Sequence, residues 1–188
     1  DNVLRTVLND AQKPVAELDF RLRELQVELE AGEEDRGKLA DSRWQAGYDL
    51  AMGRVLAMRV RAFGYNVVLA QMKSQPKTFE KKDSNLWRLT PNRDINSGGS
   101  VKRLHKKALE YLNRVVDDHA GTPWALLAER ELSAPMGWGW VEGHRAATTA
   151  GSRGAANNQT RVLFVTDPKT GKKKRIVVST KKRPRPAL

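Results

Sequence analysis

Apolar residues recur along the first third of the chain with a strict period. Leu4, Leu8, Ala11, Val15, Leu18, Leu22, Leu25 and Leu29 are spaced alternately by four and three residues. That heptad stripe predicts a long helix lying along a partner helix. Pro14 falls inside it and predicts a kink or a frayed first segment. Ala31-Gly32 ends the pattern, and Glu33, Glu34, Asp35 and Gly37 read as a charged turn. Asp41 or Ser42 caps a second helix. Its stripe is Trp44, Tyr48, Ala51, Val55, Met58, Ala62, Tyr65, Leu69 and Met72, and it stays in phase across Gly64. One helix to about Ser74, roughly 50 Å long, is the simpler reading; a break at Phe63-Gly64 is the alternative. Ala46, Leu50, Gly53, Ala57 and Val60 form a second face of small residues, where another helix can approach closely.

Residues 75–100 form a connector with Pro76, Pro91 and Asn96-Ser97-Gly98-Gly99. Leu86-Trp87-Arg88-Leu89 within it is either a short strand or an anchor. A third helix spans about Ser100–His119, with Val101, Leu104, Ala108, Tyr111 and Val115 along one face. Gly121 ends it, Thr122 caps the next, and Pro123 enters that helix in its first turn. The fourth helix, about Trp124–Leu132, closes an antiparallel helical pair before Pro135. Residues 134–142 read as a turn in which Trp138 and Trp140 either close the open end of the helical core or offer an aromatic platform to a ligand. The pattern as a whole predicts an all-α body: a long antiparallel helical hairpin followed by a shorter helical pair. The two heptad stripes can be satisfied within one chain or between two.

Charge divides the chain. Among 188 residues there are 34 Lys plus Arg and 22 Asp plus Glu. Residues 1–142 are nearly neutral, at +1, whereas residues 143–188 carry 12 basic side chains and only Asp167 as an acid. This predicts a helical domain over 1–142, a flexible linker over 143–160 and a basic tail over 161–188. Two β-branched runs, Arg161–Thr166 and Lys173–Thr180, flank Asp167-Pro168-Lys169-Thr170-Gly171 and predict a β-hairpin in the tail. Nine of the 17 residues from Lys169 to Arg185 are basic. Lys172, Lys173, Lys174, Arg175, Lys181, Lys182, Arg183 and Arg185 are therefore candidate contacts for phosphates, an acidic protein or a membrane surface, against the plainer reading of a solvated end. Few aromatics accompany them, so stacking on single-stranded bases is not expected.

Reaction chemistry is not legible. There is no cysteine, which excludes disulfides, thiol catalysis and cysteine-held metals. No Gly-x-Ser-x-Gly, His-Glu-x-x-His or Gly-x-Gly-x-x-Gly string occurs. Asp117, Asp118 and His119 resemble a metal cluster only in composition; at a helix end His119 is more simply a partner for the helix dipole. His105 sits among Lys102, Arg103, Lys106 and Lys107 on a solvated basic face, and Glu28, Glu30, Glu33, Glu34 and Asp35 read as a solvated acidic turn. Asn158-Gln159-Thr160 fits a glycosylation sequon. No catalytic residue, metal site or cofactor is expected. No apolar run approaches the length of a membrane span, no signal peptide is visible, and Asp1 in place of Met suggests a fragment or processed chain, cytoplasmic or envelope-associated.

Two resemblances add to this. Residues 101–133, through Ala108, Tyr111, the Gly121-Thr122-Pro123 turn, Ala125 and Ala128, resemble one tetratricopeptide-like helical pair, which implies peptide or partner-domain binding. Tyr48-Asp-Leu-Ala-Met-Gly-Arg54, Gly121-Thr-Pro-Trp-Ala-Leu-Leu-Ala-Glu-Arg-Glu-Leu132, Gly137-Trp-Gly-Trp140 and the ending Arg183-Pro-Arg-Pro-Ala-Leu188 look like the C-terminal helical region of large bacterial von Willebrand factor A domain proteins, such as those of planctomycetes. That family's Asp-x-Ser-x-Ser metal motif does not occur here, so the resemblance implies an accessory interaction or scaffolding region. The expected function is a non-catalytic protein-interaction module; the alternative is a nucleic-acid-associated protein acting through the basic tail.

Overall fold

The computed structural model describes residues 2–145 and the backbones of 160–166 and 173–179. The order of elements is α1 (Asn2–Ala31), a 3-10 turn (Glu33–Lys38), α2 (Ser42–Ser74), β1 (Leu86–Asn92), α3 (Gly99–Asp118), α4 (Pro123–Ser133), β2 (Gly137–Gly143), β3 (Thr160–Thr166) and β4 (Lys173–Ser179). Residues 1–145 form one compact unit and 146–188 another.

The first unit is built around α2. Its N-terminus is set by Asp41, whose carboxylate accepts from the Arg43 amide, and it runs unbroken through Gly64. Pro14 likewise lies within an unbroken α1. Helix α1 runs antiparallel along one side of α2, as the pairs Gln12–Asn66, Asp19–Arg59 and Leu29–Tyr48 show. On its other side, α2 presents the small-residue face to α3. A Cβ added at Gly53 would stand 2.7 Å from Leu112 Cγ. The core gathers here: Met52, Leu56, Ala57, Val60, Val101, Ala108, Leu112, Val115 and Ala128 are buried. Gly121 takes φ +75° between α3 and α4, and the Thr122 hydroxyl accepts from the Ala125 amide. Ala108, Tyr111, Ala125 and Ala128 are all buried in this hairpin.

The structure corrects two expectations. Residues 137–143 are a strand rather than part of a turn, and β2 pairs antiparallel with β1, Leu89 opposite Trp140. Alternating Gly and Trp let β2 lie close to its neighbours: a Cβ at Gly137 would stand 2.2 Å from the Asp94 carbonyl oxygen. The small sheet covers one end of α2, where Trp87, Leu89 and Trp140 pack on Leu8, Leu69 and Met72. The heptad stripes are also only half used. Leu8 and Leu22 are buried, whereas Leu18, Leu25, Trp44 and Met58 are exposed. Asp19 and Gln26 take places in the α1–α2 seam because Arg59 reaches them from α2.

In the second unit, β3 and β4 pair antiparallel, Phe164 opposite Arg175. The 167–171 turn, the sequon at 158–160 except for the backbone of Thr160, and Lys172, Lys181, Lys182, Arg183 and Arg185 lie outside the described residues.

Candidate functional site

Helix α1 presents an open apolar row. Val7, Leu18 and Leu25 are each more than half exposed, and Leu4 continues the row at 38%. Leu4, Ala11, Leu18 and Leu25 recur every seven residues, the period of a helix that winds along another helix. Beside them, also at seven-residue intervals, stand Asp10, Glu17 and Glu24. These carboxylates flank the row as g positions flank a coiled-coil seam. Asp10 pairs with Lys13 and Glu24 with Arg21, both exposed and so worth little.

A second feature lies inside the molecule. Asp49, fully buried on α2, receives Arg36 from the 3-10 turn and Arg114 from α3. Arg36 donates through Nε at 3.0 Å and Nη2 at 2.5 Å to Oδ2, and Arg114 through Nε at 3.0 Å to Oδ2 and Nη2 at 2.5 Å to Oδ1. Arg114 also stands over the Tyr111 ring at 4.8 Å. The Tyr111 hydroxyl donates to Glu33, and burial with that bond pushes the phenol up, beyond the ordinary tyrosine range. Tyr48 donates to the Leu29 carbonyl at 2.8 Å. Every member of this cluster has an opposite charge or acceptor, and it ties the turn, α2 and α3 together. Its chemistry is that of a clamp: each carboxylate is committed to a donor.

The acidic turn is therefore not uniformly solvated. Glu33 holds Tyr111 and Glu30 holds Lys107, while Asp35 remains exposed beside Lys38. Asp49 was the residue missed. Its signal was available, however: a lone carboxylate on a helix face otherwise made of Ala46, Leu50 and Gly53 requires a cationic partner. His119 is buried as the cap residue of α3, with Nδ1 3.0 Å from the Ser42 hydroxyl, so it ties α3 to the start of α2. Among the described residues no group of His, Asp or Glu is arranged to hold a metal ion. Burial lowers the pKa of His105.

The two candidate tryptophans part company. Trp138 donates to the Arg61 carbonyl at 2.9 Å and meets Tyr65 edge-on, which makes it a core cap. Trp140 packs with the Leu69–Met72 cluster and lines a cavity of about 600 Å³ between residues 75–81 and the sheet. Trp87 lines the same cavity, stacked on Phe79. The indole N–H groups of Trp87 and Trp140 are covered and lack acceptors among the described residues. Lys173, Lys174 and Arg175 begin β4, in the unit that holds the rest of the basic tail. No helix among the described residues is long and apolar enough to cross a membrane.

Comparison with known families, characterised proteins and solved structures finds no match.

Proposed function

We propose that residues 1–145 form a non-catalytic protein-interaction module whose outer α1 face receives an amphipathic helix with a basic flank from a partner protein. One observation carries this reading: the α1 stripe divides, with Leu8 and Leu22 closing on α2 while Leu18 and Leu25 stand more than half exposed at the same heptad spacing. The row of Asp10, Glu17 and Glu24 selects the partner. Two copies of α1 packed antiparallel would bring acidic row against acidic row, which disfavours self-association. A helix with Lys or Arg on the facing flank gains both the apolar contact and the charge. The likeness to the helical region of von Willebrand factor A domain proteins and the tetratricopeptide-like pair agree with an accessory role in a larger assembly.

The test uses synthetic 28-residue helices with a leucine seam and either lysine or glutamate flanks, titrated by fluorescence anisotropy, with the solution molar mass measured alongside. The protein should be monomeric and bind the lysine-flanked helix. The double substitution Leu18→Glu/Leu25→Glu, on exposed positions, should weaken binding at least tenfold. Equal binding by the double variant, or preference for the glutamate-flanked helix, defeats the proposal.

A second reading rests on the nine basic residues of 169–185: non-specific association with nucleic acid. Duplex binding should fall steeply with salt and disappear in a chain truncated after residue 145; salt-independent binding, or binding that survives truncation, counts against it.

A further inference from the structure

A cavity of about 500 Å³ lies where α1, α2 and α3 meet, and four cationic side chains line it: Arg23, Arg59, Arg103 and Lys107. From the geometry we infer that this cavity is a binding site for a small organic phosphate, distinct from the open α1 row proposed above.

The cations come from three helices, so no single amphipathic pattern places them together. Arg59 lies deepest, its side chain only 12% exposed. Its Nε is held by Asp19 at 3.0 Å and its Nη1 by Gln26 at 2.5 Å. Those two bonds fix the plane of the guanidinium as a preorganised donor set. Lys107 reaches Glu30 at 3.1 Å. Among the described residues Arg103 bonds only the Ser100 hydroxyl, at 3.2 Å. Arg23 has no ion pair among the described residues. Two carboxylates, Asp19 and Glu30, thus stand against four cations.

That imbalance matters because a structural salt-bridge network is ordinarily close to neutral, as around Asp49. Here the lining and its direct partners carry two more positive charges than negative ones beside a concave surface, with Glu24 and Glu28 near Arg23 and Glu33 and Glu110 near Lys107 on the outer sides. The same potential is felt by Glu30, whose pKa is held down by the Gln26 hydrogen bond and by Lys107 and Arg59. The first turn of α3 contributes Ser100 to the lining, and its cap residue Gly98 offers no side-chain acceptor to the amides there. A doubly charged oxyanion matches both the charge and the planar arginine donors. The volume exceeds what inorganic phosphate alone fills and lies in the range of small-ligand sites. Val27 and Leu104 supply apolar lining for an organic portion.

Isothermal titration of the full chain at low salt tests this, with inorganic pyrophosphate and ADP as small probes and a 24-base-pair duplex as the macromolecular arm. Arg23→Gln and Arg103→Gln alter exposed side chains and should each weaken pyrophosphate and ADP binding about tenfold, with unchanged thermal unfolding. Glu30→Gln, which removes an opposing charge, should strengthen it several-fold. ADP should bind more tightly than pyrophosphate. Pyrophosphate binding indifferent to both arginine substitutions, weakening on Glu30→Gln, or a response to these variants seen with the duplex alone would each overturn the assignment. Leu18→Glu/Leu25→Glu should leave phosphate binding intact, so the failure of one proposal is separable from the failure of the other.

Discussion

Replacing Asp49 by Asn removes one charge from the centre of the molecule while keeping its shape. The carboxylate has no exposure and receives charge-assisted bonds from two arginines. With Asn in its place, the guanidinium groups lose their shared counter-charge, Arg36 keeping only the more distant Asp118 at 3.7 Å, and the new amide N–H₂ points donors at donors. Removing one partner of a buried pair costs about 3–5 kcal/mol. The Arg36 and Arg114 side chains are 19% and 38% exposed, so both regain some hydration and the lower end, about 3 kcal/mol, is expected. For a unit of this size that is about a 10 °C fall in Tm. Asp35→Asn provides the control, because Asp35 bonds Lys38 at 2.6 Å with both side chains at least 70% exposed. It should cost under about 1 kcal/mol. Urea and thermal unfolding followed by far-ultraviolet circular dichroism at pH 7 measure both. The triple variant Arg36→Met/Asp49→Leu/Arg114→Met, which removes the charges together, should fall much closer to wild type than Asp49→Asn. A loss for Asp49→Asn below about 1 kcal/mol, or equal to that of Asp35→Asn, would refute the account of this cluster as the clamp between α2, α3 and the 3-10 turn.

Two glycines of α2 should respond to different degrees to the same change. Gly53→Ala drives a methyl into Leu112, 2.7 Å from Cγ, and should destabilise by about 1–3 kcal/mol in urea unfolding; at Gly64 the nearest atom is the Ser97 hydroxyl at 3.3 Å, which can rotate, so helix propensity offsets the contact and the net change should stay within about 1 kcal/mol. Tyr111 makes stability fall in alkali. Its phenol is raised in the folded chain above the ordinary value of 10.0, so the folded state holds a proton that the unfolded chain releases. That stabilisation is complete below pH 10 and declines as pH rises above it. Stability measured from pH 8 to 11 should drop more steeply in the wild type than in Tyr111→Phe; parallel curves would show that the hydroxyl plays no such part.

The helices were legible because their signals are local. The Asp41 cap, the in-phase stripe across Gly64 and the Gly121-Thr122-Pro123 junction each act within a few residues, and the observed ends of α2, α3 and α4 lie within a residue or two of those signals. The small face of α2 was readable for a similar reason: the absence of side-chain bulk at Gly53 and Ala57 states how near a neighbour can come, even where it does not name α3. By contrast, the pairing of β1 with β2 joins segments about fifty residues apart. Gly137-Trp-Gly-Trp140 does alternate, with Trp138 and Trp140 both toward α2, but its glycines read as a turn because they serve close backbone approach rather than β propensity.

What the sequence determined by itself was therefore the set of helices and the division between a near-neutral body and a cationic end, because capping, turn chemistry and charge count depend on neighbours along the chain. Tertiary structure decided which half of each heptad stripe is covered. The stripe on α1 is symmetrical in sequence, and the contacts across to α2, with Arg59 on Asp19 and Gln26, Gln12 on the Asn66 carbonyl and Tyr48 on the Leu29 carbonyl, hold the helix so that Leu18 and Leu25 face outward. It also decided that Asp49 meets two arginines and that four cations converge beside Glu30. Such groupings arise from separations of tens of residues closed by packing, and no local pattern encodes them.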